Sequence, residues 1–294
     1  MITIEPPSSS PLITTEHILS IIDEHAETTA LILLPGIQFY TGQLLDISVI
    51  TAHAKSKGIP IIWDLAHAVG NVTLQLHTWE VDAAAWCSYK YLNAGPGTIG
   101  GLFVHERYGQ VKDGKFMNRL SGWWGSSKPT RFKMTNQFEP SIGAAGFQLS
   151  NPSIFDITSL CTSLEVFESA GGMSALREKS VKLTGYLEKL LQNMDNREHF
   201  RVLTSSKPEE RGAQLSVRLE EGLLDVVMHE LELKGVVLDE RKPDVIRVAP
   251  APLYNTFKDV YLFIEAFTEA LTVAVKAKRS GEKVDGSTEL LQTT

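Results

Sequence analysis

The feature that most constrains the fold is a set of three short apolar runs at residues 59–63, 81–87 and 98–104. Each run has the length of a strand, and its apolar character is nearly continuous. Continuous apolar runs are typical of strands that helices cover on both faces. A helical pattern at residues 44–57 and a further strand at residues 29–34 precede them, which completes a β-α-β unit. We therefore predict an α/β fold with a parallel or mixed sheet.

The rest of the chain follows other patterns. An amphipathic helix, capped by Thr14 or Thr15, is predicted to end near His25. Residues 106–152 are irregular and aromatic, which predicts a long loop that docks on another surface. Beyond them we expect helices at residues 154–170, 173–193, 223–233 and 257–276, and strands at residues 214–219 and 245–248. The expected division is a large domain at residues 1–150, a smaller α+β domain at residues 151–278, and a disordered polar tail at residues 279–294.

Composition excludes several classes of function. The 28 basic and 35 acidic residues give a net charge of −7 without a basic stripe, so we expect a small-molecule partner and no nucleic acid. No apolar run approaches the roughly 20 residues of a membrane span, and the N-terminus lacks the layout of a signal peptide. The two cysteines, Cys87 and Cys161, predict neither a disulfide scaffold nor a metal site. A reducing compartment, the cytoplasm, fits this usage.

Two polar residues follow neighbouring predicted strands. Asp64 ends the run at residues 59–63, and Lys90 follows the run at residues 81–87. Because ligands of open α/β sheets bind beyond the carboxyl ends of the strands, both side chains are expected in one crevice. A lysine there can form an imine with a carbonyl cofactor, and a carboxylate can pair with a protonated pyridine nitrogen. The alternative is that Asp64 caps a turn and Lys90 is solvated.

The surrounding segments favour the cofactor hypothesis. DLAHAVGN at residues 64–71 and SYKYLNAGPG at residues 88–97 resemble the cofactor segments of kynureninases, which are pyridoxal phosphate enzymes of fold type I, the aspartate-aminotransferase-like class. Five further segments resemble the same family in the same order: FYTGQ (39–43), GWWG (122–125), RFKM (131–134), SNP (150–152) and IRVAPAPLYN (246–255). An ordered series of this kind is more specific than any single motif.

The resemblance implies a role for each matching residue near the cofactor. Lys90 would bond covalently to pyridoxal 5'-phosphate and act as the catalytic base, and Asp64 would hold the pyridine nitrogen. Tyr89 would donate its hydroxyl to the phosphate, which adds a donor without adding charge. His67 would lie close to the cofactor; its alternative is a histidine that caps a helix or is satisfied in the core.

Three further matches lie in the GWWG, SNP and IRVAPAPLYN segments. Trp123 and Asn151 correspond to positions that reach the cofactor phosphate from the neighbouring subunit, which implies a homodimer; their alternatives are a docked core tryptophan and an Asn-Pro turn. Arg247 stands in an apolar strand, where a guanidinium requires an anion. The resemblance supplies the α-carboxylate of the substrate, held bidentately, and the alternative is a structural ion pair.

The resemblance implies hydrolysis of L-kynurenine or 3-hydroxy-L-kynurenine to anthranilate or 3-hydroxyanthranilate and L-alanine, in tryptophan catabolism and NAD biosynthesis. One rival is a cysteine desulfurase or selenocysteine lyase, which shares the fold but needs a thiol on a mobile loop. The other is a catalytically impaired homologue. The sequence lacks a match to the family's N-terminal region, which supplies the phosphate-binding loop and the ring that stacks on the cofactor.

Overall fold

A computed structural model describes residues 1–280 and divides the chain into two compact units. Unit 1 comprises Met1–Pro7, Ile13–Gln38 and Leu44–Ser174, and unit 2 comprises Ser8–Leu12, Phe39–Gln43 and the chain from Ala175 onward. The predicted tail at residues 279–294 lies outside the described residues except for its first two positions, which continue the last helix.

Unit 1 contains a four-stranded mixed sheet in the order β1-β2-β3-β4. The first three strands are parallel and β4 is antiparallel to β3, which confirms the predicted α/β class with a mixed sheet. Its elements are α1 (Thr15–Glu24), β1 (Ile32–Pro35), α2 (Ile47–Ser56), β2 (Ile61–Asp64), β3 (Ala83–Cys87), β4 (Gly100–Val104), α3 (Glu106–Gly109), β5 (Val111–Lys112), β6 (Lys115–Phe116) and α4 (Ile154–Ser169).

Side-chain caps fix where the first two long helices begin. The Thr14 hydroxyl accepts a hydrogen bond from the backbone N–H of His17 at 3.2 Å, as predicted for this helix. The Asp46 carboxylate accepts from the backbone N–H of Val49 at 3.0 Å. Each cap satisfies a backbone donor that a helix leaves without an internal partner. Both helices turn apolar side chains into one core with the sheet, which includes Ile18, Ile50 and Trp63.

Only one face of this sheet is covered in the described residues. The buried face carries the row Leu34, Trp63, Ala84 and Phe103. The opposite face exposes apolar side chains: Leu33 is 66% exposed and Leu102 is 45% exposed. The expectation that the strands at residues 81–87 and 98–104 are buried on both faces is therefore wrong for this chain. An apolar run indicates that burial of a strand is favourable. Whether a face is buried depends on other residues that pack against it.

Unit 2 contains a four-stranded antiparallel sheet in the order β7-β8-β10-β9. Two of its strands, β7 and β9, were not predicted, because each has only three residues. The helix predicted at residues 154–170 is α4, which belongs to unit 1. The elements are α5 (Gly172–Gln192), β7 (Phe200–Val202), β8 (Leu215–Leu219), α6 (Leu224–Leu233), β9 (Asp239–Arg241), β10 (Val245–Val248) and α7 (Phe257–Ser280).

The helices of unit 2 pack on their sheet around a continuous apolar core. Leu187 of α5, Val227 of α6 and Phe267 of α7 are fully buried and share this core with Leu215 and Ile246 of the strands. No helix within residues 1–280 has both the length and the apolar character that a membrane crossing requires.

Candidate active site

Asp64 and the turn that carries Lys90 follow two adjacent parallel strands. Asp64 is the last residue of β2 and pairs in register with Ala85 of β3. The backbone N–H of Leu65 donates to the carbonyl of Ala85 at 2.8 Å, so the chain leaves both strands side by side. The Asp64 side chain is exposed, and its Oδ1 accepts from the backbone N–H of Ala66 at 2.9 Å. Asp64 therefore also caps the local turn, the alternative considered from sequence.

Lys90 lies in a tight turn that its own backbone closes. The N–H of Asn93 donates to the carbonyl of Lys90 at 3.0 Å, and the N–H of Ala94 donates to the carbonyl of Ser88 at 3.1 Å. Asn93 has a φ of 54°, a left-handed conformation that asparagine tolerates better than most residues. The Ser88 hydroxyl is buried and donates to Thr98 Oγ1 at 2.9 Å. The base of the turn is thus fixed, while the Lys90 side chain remains partly exposed.

Lys90 and His67 are in direct contact. Lys90 Nζ lies 3.0 Å from His67 Nε2, a distance at which the amine donates and the imidazole nitrogen accepts. His67 is held from its backbone, because the buried side chain of Asn71 donates to its carbonyl at 2.9 Å. The structure thus brings together two of the predicted site residues and makes His67 a partner of the lysine.

Tyr89 points away from the core and is about half exposed. A hydrogen bond with Cys87, followed by the charge of Cys87 in its ionised form, raises the pKa of the Tyr89 hydroxyl above its ordinary value. The hydroxyl therefore stays protonated and can donate at neutral pH. Cys87 itself is partly buried, and Cys161 is exposed on α4.

The two loops of the site approach each other closely. A side chain at Gly70 would place its Cβ 2.8 Å from the backbone of Tyr91, so only glycine fits there. Helix α4 holds the turn from another side: the Ser163 and Ser159 hydroxyls donate to the carbonyls of Leu92 and Ala94. Sequence reasoning missed both serines. Their spacing of four residues places them on one helix face, but that signal does not identify what the face contacts.

A partly buried ion pair at the N-terminal ends of β2 and β3 supports the site strands. Asp82 accepts from the backbone N–H of Ile61 at 2.8 Å and is paired with the Arg107 guanidinium. Burial opposes ionisation of Asp82, but the hydrogen bonds from Arg107 and Ile61 outweigh it, and the pKa lies below its ordinary value. Asp82 therefore remains a carboxylate that ties the starts of both strands together.

Trp123 and Asn151 lie on backbone segments that run side by side in unit 1. The N–H of Trp124 donates to the carbonyl of Leu149 at 3.4 Å, and a Cβ at Gly122 would lie 2.3 Å from the Cα of Leu149. Trp123 is exposed and packs edge-to-face on Phe132, with ring centroids 5.3 Å apart. Asn151 is also exposed. Neither side chain is a core residue, so the docked-core alternative for Trp123 is wrong in this chain.

Arg247 lies in β10 of unit 2, and its side chain is only 9% exposed. Its Nη1 donates to the carbonyl of Phe39 at 3.0 Å, and its Nη2 is paired with the carboxylate of Asp239. Phe39 belongs to the FYTGQ segment, which the Gln214 side chain also holds by donating to the same carbonyl at 3.0 Å. The guanidinium thus has an internal anion, which sequence analysis treated as the alternative to a substrate carboxylate.

Comparisons with known proteins show which family the chain resembles. Residues 176–267 match the family model described as the kynureninase C-terminal domain. The chain is 65% identical over 284 residues to kynureninase 2 of Neurospora crassa, covering 93% of this chain and 60% of that protein. It is 60% identical over 301 residues to kynureninase 1 of Chaetomium globosum, covering 94% of this chain and 59% of that protein.

Solved structures support the fold. A C-DES variant with glycine covalently linked to its PLP cofactor has a TM-score of 0.70 and 19% identity, covering 85% of this chain and 63% of that one. An apo cysteine desulfurase from Thermococcus onnurineus NA1 has a TM-score of 0.69 and 15% identity, covering 87% of this chain and 63% of that one. These likenesses confirm the predicted fold type I class.

The sequence relatives decide between enzyme families that share this fold. Cysteine desulfurases match in fold at 15–17% identity, whereas kynureninases match in sequence at 55–65% identity over most of the chain. The chain spans about 60% of the length of these relatives. It belongs to the kynureninase family and includes that family's C-terminal domain.

Proposed function

We propose that the chain supports pyridoxal 5'-phosphate-dependent hydrolysis of the Cβ–Cγ bond of L-kynurenine or 3-hydroxy-L-kynurenine. The products are anthranilate or 3-hydroxyanthranilate and L-alanine. The observation that carries the proposal is the pairing of Lys90 Nζ with His67 Nε2 at 3.0 Å. His67 follows β2, which ends at Asp64, and Lys90 follows the adjacent parallel strand β3. Kynureninase relatives at 55–65% identity supply the substrate class.

The donor set of unit 1 fits pyridoxal phosphate. A primary amine, Lys90, and a carboxylate, Asp64, follow the carboxyl ends of adjacent parallel strands, where ligands of such sheets bind. The Tyr89 hydroxyl is exposed and protonated, so it can donate to a phosphate oxygen. Lys90, Asp64, His67 and Tyr89 are therefore the residues that would hold the cofactor from this chain.

When bound, pyridoxal phosphate supplies an electron-withdrawing ring that makes the substrate Cα acidic. Asp64 would place its carboxylate against the ring nitrogen and favour the protonated ring. Lys90 Nζ would act as the base that takes the Cα proton. His67 Nε2 accepts a hydrogen bond from that nitrogen and would fix its direction. Arg247 would hold the α-carboxylate of the substrate, for which its guanidinium has the matching geometry.

We further propose a homodimer in which Trp123 and Asn151 reach the cofactor phosphate of the neighbouring subunit. Both side chains are exposed, and apolar side chains around them are exposed as well, including Phe132 and Phe155. Exposed apolar surface of this kind is typical of a protein interface.

A reducing compartment, the cytoplasm, fits the free thiols Cys87 and Cys161.

The test is to add pyridoxal phosphate to the purified chain and then L-kynurenine or 3-hydroxy-L-kynurenine. We expect the absorbance of lysine-bound cofactor, followed by release of the fluorescent aromatic product. Lys90→Ala should lose both signals, whereas the exposed Lys112→Ala should keep them. Bound cofactor without product from either substrate would contradict the proposed hydrolysis.

A second candidate is a form that binds cofactor but hydrolyses no substrate. The ion pair of Arg247 with Asp239 favours it, because the guanidinium that would hold the substrate carboxylate already has an internal anion. Cofactor absorbance without product would identify this form, and cysteine as substrate would test for sulfur release by the desulfurase chemistry of the structural relatives.

A further inference from the structure

Asp239 and Arg247 face each other across two strands of unit 2. They are register partners in the antiparallel pairing of β9 with β10, so their side chains lie on the same face of the sheet. Their exposure differs: the Arg247 side chain is 9% exposed, whereas that of Asp239 is 46% exposed. The guanidinium is thus fixed in the protein, and the carboxylate that neutralises it lies at the solvent boundary.

This asymmetry matters for a buried cation. A guanidinium removed from water requires a compensating anion, because its desolvation otherwise costs several kcal/mol. Asp239 provides that compensation while no ligand is bound. A ligand carboxylate can take its place without changing the charge around Arg247, and the released Asp239 carboxylate already has access to water.

Asp239 also has a second cation available. Its Oδ1 is paired with Arg241, which stands two residues further along β9. The Arg241 side chain is more exposed than that of Arg247 and lies over the Phe39 ring, 6.0 Å from its centroid. A carboxylate that leaves Arg247 therefore keeps an ion pair with Arg241. This second pair lowers the free energy needed to release Arg247.

We propose that Asp239 is an internal competitor for the carboxylate site of Arg247 and thereby sets the affinity of the protein for its substrate. This inference rests on the proposed function only in naming the substrate carboxylate as the ligand. If the Asp239 carboxylate occupies the Arg247 guanidinium for most of the time, only a small fraction of molecules can accept a ligand carboxylate. The apparent affinity for the ligand falls in proportion to that fraction. Removal of the competitor should strengthen binding of carboxylates.

The first test measures affinity in the chain loaded with pyridoxal phosphate. L-Kynurenine is titrated by absorbance against the unmodified chain and the isosteric variant Asp239→Asn, which removes the charge. We expect about three- to tenfold tighter binding in Asp239→Asn. Arg241→Gln should have the opposite effect, because Asp239 then has only Arg247 as a partner. Unchanged or weaker binding by Asp239→Asn would mean that Asp239 positions Arg247, and the proposal would be wrong.

The second test needs neither cofactor nor turnover. Phenylglyoxal modifies accessible arginines, and mass spectrometry of peptides gives the rate at Arg247 separately from Arg241. Loss of Asp239 should raise the Arg247 rate several-fold, and millimolar benzoate should lower it again. If phenylglyoxal modifies Arg247 at the same rate in Asp239→Asn and in the unsubstituted chain, the inference is wrong. Failure of the unsubstituted chain to bind L-kynurenine would overturn only the proposed function.

Glu240→Gln is the matched control for both tests. Glu240 adjoins Asp239 on β9 and lies 4.0 Å from Lys242 rather than at Arg247. In Glu240→Gln, the affinity for L-kynurenine and the rate at which phenylglyoxal modifies Arg247 should stay within about twofold of the values for the unsubstituted chain. A solvated ion pair of this kind contributes little. A change as large as that in Asp239→Asn would show that any negative charge on β9 weakens ligand binding, rather than Asp239 specifically.

Discussion

The two sheets of this protein differ in how completely their own chain covers them. In unit 2, α5, α6 and α7 cover the sheet face that carries Leu215 and Ile246, and on the other face Ser216 and Arg247 hydrogen-bond to the FYTGQ segment. In unit 1, α1 and α2 cover one face, and Leu33 and Leu102 on the other face remain exposed. Unit 2 therefore covers most of both faces of β8 and β10 with its own residues, whereas unit 1 holds the lysine site on a sheet with one open face.

The largest expected effect tests whether unit 2 owes its stability to its core. Phe267→Ala removes a fully buried ring and should lower the free energy of unfolding by about 4 kcal/mol. Urea denaturation measures the loss, and amide hydrogen exchange should show that protection falls between residues 175 and 280. Val237→Ala, at an exposed position, is the control. Equal losses in both variants would contradict the assignment of the core.

The buried ion pair of unit 2 gives the next effect. Arg211 is almost fully buried and pairs with Glu188 at 2.8 Å. Glu188→Ala leaves a buried cation without its carboxylate, which should cost about 3 kcal/mol of stability in urea denaturation. Glu178→Ala, which breaks an exposed pair with Lys182 on the same helix, should cost about 0.5 kcal/mol or less.

The corresponding pair in unit 1 should matter less, because it is closer to solvent. Asp82→Asn weakens the tie between β2 and β3 and leaves the Arg107 guanidinium less well paired. We expect a loss of about 2 kcal/mol and faster amide exchange at residues 61–64. A loss as large as that of Glu188→Ala would remove this contrast between the units.

The units should also respond to acid in different pH windows. Burial lowers the pKa of His105, and the charges of Arg107 and His77 lower it further. Because the unfolded chain then binds the proton first, unit 1 should lose stability as pH falls below about 6.5. In unit 2, hydrogen bonds from Lys278 and His199 lower the pKa of Glu220 from 4.5 to about 2. Its contribution is present above pH 4.5 and disappears as pH falls towards 2.

Amide exchange at pH 7.5 and 5.5 measures this difference. Protection in unit 1 should fall between the two pH values and protection in unit 2 should not. The decrease should shrink in His105→Gln and persist in His77→Gln, whose side chain is exposed. An unaltered pH dependence in His105→Gln would show that another group titrates.

The smallest effect on stability comes from the open sheet face. Leu33→Ser should change the free energy of unfolding by less than about 0.5 kcal/mol, because the side chain already contacts water. It should lower the binding of a dye that reports exposed apolar surface. Val237→Ser removes an exposed side chain in unit 2, outside the open sheet face, and should lower dye binding less. Equal decreases would mean that the face in unit 1 is not a continuous patch.

Much of the fold was predictable because it depends on local pattern. The Thr14 cap, the strand at residues 245–248 and the closing helix beginning at Phe257 follow from residue type and periodicity. The short strands β7 and β9 were missed, since three residues carry too little periodicity to identify a strand. Asp239 on β9 was missed with them, because only pairing with β10 places its carboxylate at Arg247.

Sequence alone determined that Lys90 and Asp64 follow strands of an α/β sheet and that their segments resemble kynureninase. These properties are encoded in contiguous residues. Only the tertiary structure decided that His67 is the partner of Lys90, that Ser159 and Ser163 hold its turn, and that Arg247 already has an anion. It also decided that one face of the sheet is open. Contacts and coverage depend on residues far apart in the chain, which no local pattern specifies.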